Sequence, residues 1–318
     1  MSTKYDLIIV GGGPAGLTAA IYASRRELKT LVIAKAVGGQ AVMAERVENF
    51  PGQEPISGWD LMQKLEKQAR GFGAEFISDE ISVLSKSVDG FGLKGRLETY
   101  QSSAVILAFG LTPRDLGVPG EEKLTGHGVA YCATCDGPLY KGKTVAVVGG
   151  GNSALDAVLY LSKIAKQVYL VNRTSEFAGA EAALFEQAKA KENVECFCSH
   201  TVKEIKGEDK VTSVVLVDDK NMENEVAVDG IFIEIGYIPK SDWIKGAVDV
   251  NERGEIKTDK SCQTSAEGIF AAGDCSDVGY KQMTISCGEG AKAALSAYKF
   301  VAAKGGKVVA PDWGARKN

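Results

Sequence analysis

Cys132-Ala133-Thr134-Cys135-Asp136 is the run whose residue types and spacing point most directly to chemistry. Two intervening residues let both sulfurs meet in one short loop. Thiols in such pairs have lowered pKa values when they lie near a helix N-terminus, which favours thiol exchange. Asp136, beside the pair, is a candidate proton donor to a departing thiolate, because partial burial raises a carboxyl pKa. The same residue also suits a helix N-cap. A structural zinc site would need a second C-x-x-C or nearby histidines. The sequence has only His127 and His200 and no second pair at that spacing, so no metal is expected. Cys196, Cys198, Cys262, Cys275 and Cys287 read as core filling. If Cys196-Phe197-Cys198 lies on a strand, its two sulfurs are expected to diverge to opposite faces.

Two glycine-rich turns form a second set of candidates. Gly11, Gly13 and Gly16, with Pro14 and Ala15 between them, fit G-x-G-x-x-G. In that pattern the first glycine permits the turn, the second lets backbone approach a pyrophosphate, and the third allows close helix packing. The phosphates then meet the unpaired N–H groups and positive dipole end of a helix. Gly149, Gly151 and Ala154, with Asn152 and Ser153, give G-x-G-x-x-A, a second dinucleotide turn. Two such turns suggest a bound flavin and a mobile hydride donor. The strand after the first turn ends in Ala34 and Lys35, with no carboxylate for a ribose hydroxyl, so that contact stays unassigned. After the second turn the chain reads Asn172-Arg173-Thr174-Ser175-Glu176. A 2′-phosphate calls for guanidinium groups and a free 2′-hydroxyl for a carboxylate; here a single arginine stands close to Glu176.

The elements that must hold these turns are legible as apolar runs. Residues 7–10 and 145–148 read as strands, 17–24 and 155–163 as the helices that follow, and 30–33 and 167–171 as the next strands, giving two βαβ units. The fold class is therefore α/β, with two Rossmann-like, three-layer dinucleotide-binding domains. Pro- and Gly-rich breaks at 113–120 and 236–246 bracket the second unit, which reads as an insert in a discontinuous first domain. The expected division is 1–114 with 246–318 for the first domain and 115–245 for the second. Residues 268–274 read as a short strand ending in Gly273-Asp274, and 289–303 as a closing helix. A chain of 318 residues with 45% hydrophobic and 25% charged residues has room for two such cores. No apolar stretch approaches the ~20 residues of a spanning helix. The start shows no secretory pattern, so the cytoplasm and free thiols outside a catalytic pair are expected. A net charge of -4 gives no general attraction to nucleic acid or an anionic membrane.

Taken together these residues resemble the low-molecular-weight thioredoxin reductases, over nearly the whole chain. The matching segments include the Gly11 and Gly149 turns, Gly38-Gly39-Gln40, Val47-Glu48-Asn49-Phe50-Pro51-Gly52, Cys132 to Gly137, Gly273-Asp274 and Lys281-Gln282-Met283-Thr284. The resemblance implies FAD held by Gly11, Gly13, Pro14, Ala15 and Gly16, by Gln40 and Asn49, and by Gly273, Asp274, Gln282, Met283 and Thr284. It implies that Cys135 faces the flavin, that Cys132 attacks a partner disulfide, and that Asp136 is the general acid and base. The implied partner is thioredoxin, the implied assembly a homodimer, and the implied motion a rotation about the two Pro- and Gly-rich links.

One departure bears on the electron donor. Where NADPH-using members carry His-Arg-Arg and a further arginine, this sequence has Asn172, Arg173, Thr174 and Ala178. Each charge-assisted contact contributes about 1.5 to 3 kcal/mol, so losing two weakens binding by roughly two orders of magnitude or more. Poor use of NADPH is expected. NADH, a reduced ferredoxin or a deazaflavin are the alternatives, with Gly149, Gly151, Asn152, Ser153, Ala154 and Arg173 as the residues for any nicotinamide dinucleotide. A tail aromatic, Trp313, is a candidate to stack on the flavin. Two other functions stay open at this point: a flavin-dependent dithiol oxidase and a redox-sensing flavoprotein.

Overall fold

A computed structural model describes residues 4–307 apart from 45, 88 and 178. The Trp313 tail lies outside the described residues. The chain divides into two compact units, 1–112 with 238–318 and 113–237.

In the first unit, β1 (Lys4–Val10) leads into α1 (Pro14–Ser24) and β2 (Thr30–Ala34). Then follow α2 (Gly58–Gly71), β3 (Glu75–Ser78), β4 (Val83–Ser87), β5 (Gly90–Lys94) and β6 (Thr99–Leu107). The sheet runs β3-β2-β1-β6-β5-β4, parallel from β3 to β6 and antiparallel beyond. Leu7, Ile8 and Ile9 are continuous rather than alternating because a parallel strand is covered on both faces. Leu7 and Ile9 pack against the helices, and Ile8 and Val10 against the opposite core with Leu93 and Ile256. Truncating Leu7 to alanine would cost about 2 to 5 kcal/mol.

In the second unit the strands are β8 (Val129–Ala130), β9 (Thr144–Val148), β10 (Gln167–Asn172), β11 (Val194–Cys198) and β15 (Gly230–Ile233), preceded by β7 (Thr112–Pro113) at the crossing. Between them lie β12 (Thr201–Lys206), β13 (Ser213–Val217) and β14 (Glu223–Ala227). The helices are α3 (Glu121–Leu124), α4 (Ala133–Asp136), α5 (Asn152–Leu161) and α6 (Ala182–Lys189). A parallel sheet of order β11-β10-β9-β15-β8 carries α5 and α6 on one face. The antiparallel β12-β13-β14 sheet covers the other, so the unit has three layers. The return crossing is β16 (Tyr237–Ile238), which pairs with β7. Residues 242–244 then pack with the first unit's core, Ile244 beside Leu84 and Val248.

The first unit closes with β17 (Ile269–Ala271), which pairs with the far half of β6, and α7 (Met283–Lys304). This last helix begins earlier than the 289 read from the sequence, because Gln282 takes the extended N-cap conformation. Alanines on α1 and α7 face one another, and at Gly290 a Cβ would overlap the Ala15 carbonyl. Small residues therefore set the close approach of these helices.

One sequence expectation is corrected here. Cys196 and Cys198 do lie on a strand, but positions i and i+2 share a face. Both pack beside α6 residues Leu184 and Phe185, while Phe197 alone points to the opposite core.

Candidate active site: a dinucleotide cleft and a cysteine pair

The first unit holds a cleft of about 510 Å³ at the C-terminal ends of β1, β2 and β6. Open α/β sheets bind ligands at that end. Gly11, Gly12, Gly13, Pro14 and Ala15 line it. Gly11 has φ 119°, and a Cβ there would overlap the Ala108 carbonyl; at Gly16 a Cβ would overlap Gly11. Turn and helix thus meet at backbone contact, and Gly16 packs rather than lines. Gly13 faces open space, its nearest neighbour being the Gly38 carbonyl 3.9 Å from a Cβ position. The first turn of α1 has no acidic residue and no side-chain cap. Its N–H groups and dipole are left for an anion, which fits the pyrophosphate of a bound dinucleotide.

Asp274, Gln282 and Met283 line the cleft as well, and Gln40 does so while its Nε2 donates to Leu111 O at 2.6 Å. Asp274 accepts from Ser286 Oγ at 3.1 Å. Asn49 is not part of the lining; its Nδ2 donates to Gln282 Oε1 at 3.3 Å. Gly273 donates its N–H to Glu289 Oε2 at 3.1 Å, and Thr284 sits in the first turn of α7.

Lys35, read from the sequence only as the end of the second strand, lines the cleft, and so do Glu80, Lys240 and Trp243, which sequence reading missed. Lys35 Nζ lies 2.5 Å from Glu80 Oε1 and Arg96 Nε 3.4 Å from Glu80 Oε2. A carboxylate is therefore present beside the end of β2, supplied from the chain after β3. Its neighbour Asp79 is buried. Burial alone would raise its pKa, but N–H groups of Glu80, Leu97 and Arg96 and the Tyr100 hydroxyl hold it below the usual range. This carboxylate fixes the loop that carries Glu80.

In the second unit Cys132 is the N-cap of α4 and is disulfide-bonded to Cys135, with Cα atoms 5.4 Å apart. The Cys135 N–H donates to Cys132 Sγ at 3.2 Å, and Thr134 Oγ1 lies 3.4 Å from the same sulfur. Asp136 follows directly and burial raises its pKa. It precedes the 3-10 turn Gly137–Tyr140 but makes no side-chain cap bond. Its carboxyl is thus not committed to capping. Glu121, almost fully buried, accepts from the Leu116 N–H at 2.9 Å, the Gly117 N–H at 2.7 Å and the Tyr131 hydroxyl at 2.9 Å. It ties the residue before Cys132 to the segment 116–117.

Glu234, just past β15, was also missed, although a lone charge in the apolar run 231–235 was its signal. Its N–H donates to Val148 O at 2.8 Å. Burial pushes its carboxyl up to about 7, opposed only in part by the Ala133 N–H.

The second glycine turn joins β9 to α5, with Gly149 at φ 154° and Ala154 buried. Gly151 bridges to Gly179, and Asn152 exchanges hydrogen bonds with Glu181 at 3.1 and 2.8 Å. The Asn172 Nδ2 donates to Thr174 O, Thr174 Oγ1 and Glu176 O within 3.1 Å. Ser153, Arg173, Thr174 and Glu176 are exposed. Among the described residues no cluster of three or more metal-binding side chains occurs, and no helix is long and apolar enough to cross a membrane.

Residues 5–290 match the family model for pyridine nucleotide-disulphide oxidoreductases. The chain is 41% identical to a thioredoxin reductase of Peptoclostridium acidaminophilum over 95% of its own length and 99% of the relative's. It is similar to the crystal structure of Lactococcus lactis thioredoxin reductase, with TM-score 0.80, 34% identity, and 94% of this chain and 99% of the other covered. It is also similar to a ferredoxin-flavin thioredoxin reductase from Clostridium acetobutylicum, with TM-score 0.52, 31% identity, and 93% and 97% covered. With its nucleotide turn, its paired cysteines and near full-length likeness to these enzymes, the chain belongs to the pyridine nucleotide-disulphide oxidoreductase family, among the low-molecular-weight thioredoxin reductases.

Proposed function

We propose that this protein is an FAD-dependent thioredoxin-disulfide reductase in which Cys132 and Cys135 carry the electrons to thioredoxin. The observation that carries this reading is the disulfide at the N-terminus of α4, with the Cys132 sulfur accepting an N–H. A helix N-terminus stabilises a thiolate, and the thiolate is the species that attacks a partner disulfide. Cys132 forms the mixed disulfide, Cys135 resolves it, and Asp136 gives and takes the proton of the leaving sulfur, its raised pKa keeping a proton available. Bound FAD supplies the two-electron step between the donor and the Cys132–Cys135 disulfide.

Gly11, Gly13, Pro14 and Ala15 offer backbone N–H groups and space to the pyrophosphate. Gln40, Asp274, Gln282 and Met283 line the rest, and Glu80 provides the ribose contact that β2 lacks. Gly16 and Gly273 shape the backbone, and Asn49 acts through Gln282. The first unit is the discontinuous FAD domain and the second the dinucleotide-like domain with the redox pair.

Reduced ferredoxin is the favoured donor over NADPH. The exposed segment after β10 has one arginine, Arg173, with Thr174 next to it, and one structural relative is a ferredoxin-flavin enzyme. A homodimer is the assembly that the family resemblance implies. Steady-state reduction of one thioredoxin with NADPH, NADH and reduced ferredoxin in turn tests the reading. Turnover with ferredoxin and little with NADPH supports it; robust NADPH turnover at micromolar concentration overturns the donor assignment, and failure with every donor overturns the function.

A further inference from the structure

The two glycine turns are built alike but meet different side chains. In the first unit the Gly38 carbonyl lies 3.9 Å from a Cβ position at Gly13, and two residues on Gln40 lines the cleft with a neutral amide. In the second unit the Gly179 carbonyl lies 3.8 Å from a Cβ position at Gly151, and two residues on stands Glu181. Equivalent places thus carry an amide in one unit and a carboxylate in the other.

Glu181 is also tied to its turn. Its N–H donates to Asn152 Oδ1 at 2.8 Å, and Asn152 Nδ2 donates to Glu181 Oε1 at 3.1 Å. Asn152 opens α5, a helix of 10 residues with no side-chain cap and no acidic residue in its own first turn. Pro14, which opens α1 in the first unit, can make no such clasp. A dinucleotide at the second turn would set its pyrophosphate on the first N–H groups of α5, where the held carboxylate would face it with like charge. We propose that Glu181, held by Asn152, is a specificity-determining residue that keeps nicotinamide dinucleotides off the second glycine turn. Arg173 and Thr174 bear on the 2′-phosphate and so separate NADPH from NADH; Glu181 acts on the pyrophosphate that both share. The inference rests on the donor reading above, in which electrons arrive without a nicotinamide.

Calorimetric titration of NADH, NADPH and adenosine into the flavin-loaded wild type, Glu181→Gln and Glu181→Ala tests it. Glu181→Gln gives the second turn the amide of the first. It should tighten both dinucleotides by about tenfold at low salt, the size of one like-charge contact near a protein surface. In about 0.5 M salt the gain should shrink to about twofold, because screening acts on charge. Glu181→Ala should gain at least as much, since it removes the clasp as well. Adenosine, which carries no phosphate, should not distinguish the three proteins. A gain for adenosine too, or one that salt leaves unchanged, would mean that the variants merely open space. No gain for either dinucleotide would mean that Glu181 does not guard the turn; each of these results overturns the proposal. The readout is binding without turnover, so robust NADPH-driven turnover by the wild type would count separately against the donor reading.

Discussion

The Cys135 N–H donates to the Sγ of Cys132 at 3.2 Å, while Cys132 itself caps the helix that carries Cys135. The two sulfurs are therefore unequal: one sits at the positive end of the helix and the other within its first turn. On the proposed function, Cys132 would be the attacking thiolate. Cys135→Ser should consequently trap a mixed disulfide between Cys132 and a thioredoxin, visible on a non-reducing gel and by mass. Cys132→Ser should trap none. Equal trapping by both variants would contradict the asymmetry.

Asp136 keeps its proton to higher pH than an ordinary carboxyl because it is partly buried. Asp136→Asn should lower kcat for thioredoxin reduction by about 10²-fold or more, in line with the loss of a general acid. Flavin absorbance should be unchanged. A variant with wild-type kcat across pH 6 to 8.5 would remove Asp136 from the mechanism.

Gly16 has no room for a side chain, since a Cβ would overlap the Gly11 carbonyl under the pyrophosphate turn. Gly16→Ala should destabilise the first unit by about 1 to 3 kcal/mol and lower flavin content. The ratio of absorbance at flavin and protein wavelengths and the melting temperature read these effects. Full flavin occupancy with an unchanged melting temperature would be the contrary result.

Glu234 links stability to pH. Its folded-state pKa, about 7, lies above the usual value for a glutamate, so ionising it costs more in the folded than in the unfolded protein. Its contribution is neutral below the unfolded pKa and grows more unfavourable up to the folded one. Glu234→Gln should therefore raise stability at pH 8 relative to wild type and change it little at pH 4, as denaturant titrations of both proteins would reveal. A gain of equal size at both values would point to packing rather than charge.

Thr174 is exposed at the place where a 2′-phosphate would need a guanidinium. Thr174→Arg should tighten NADPH binding by about tenfold to a hundredfold, the size of one charge-assisted contact, and leave NADH little affected. Calorimetric titration with both nucleotides checks this. Equal tightening for the two would show that the 2′-phosphate is not what the new arginine meets.

The features legible in the sequence are those set by neighbours along the chain. Gly11 and Gly16 encode a turn because their spacing matches a strand meeting a helix at backbone contact, and Leu7 to Ile9 encode a buried parallel strand because nothing polar interrupts them. Cys132 and Cys135 meet because two residues separate them in a helical turn. The tertiary structure decided what distance along the chain conceals. It brought Glu80 to Lys35 beside β2, put Trp243 into the cleft, and tied the Glu234 N–H to Val148. Those pairings depend on which strands become neighbours in a sheet and which loops fold over its ends. Such choices follow from the packing of whole cores, where no local pattern of residue types records the partner.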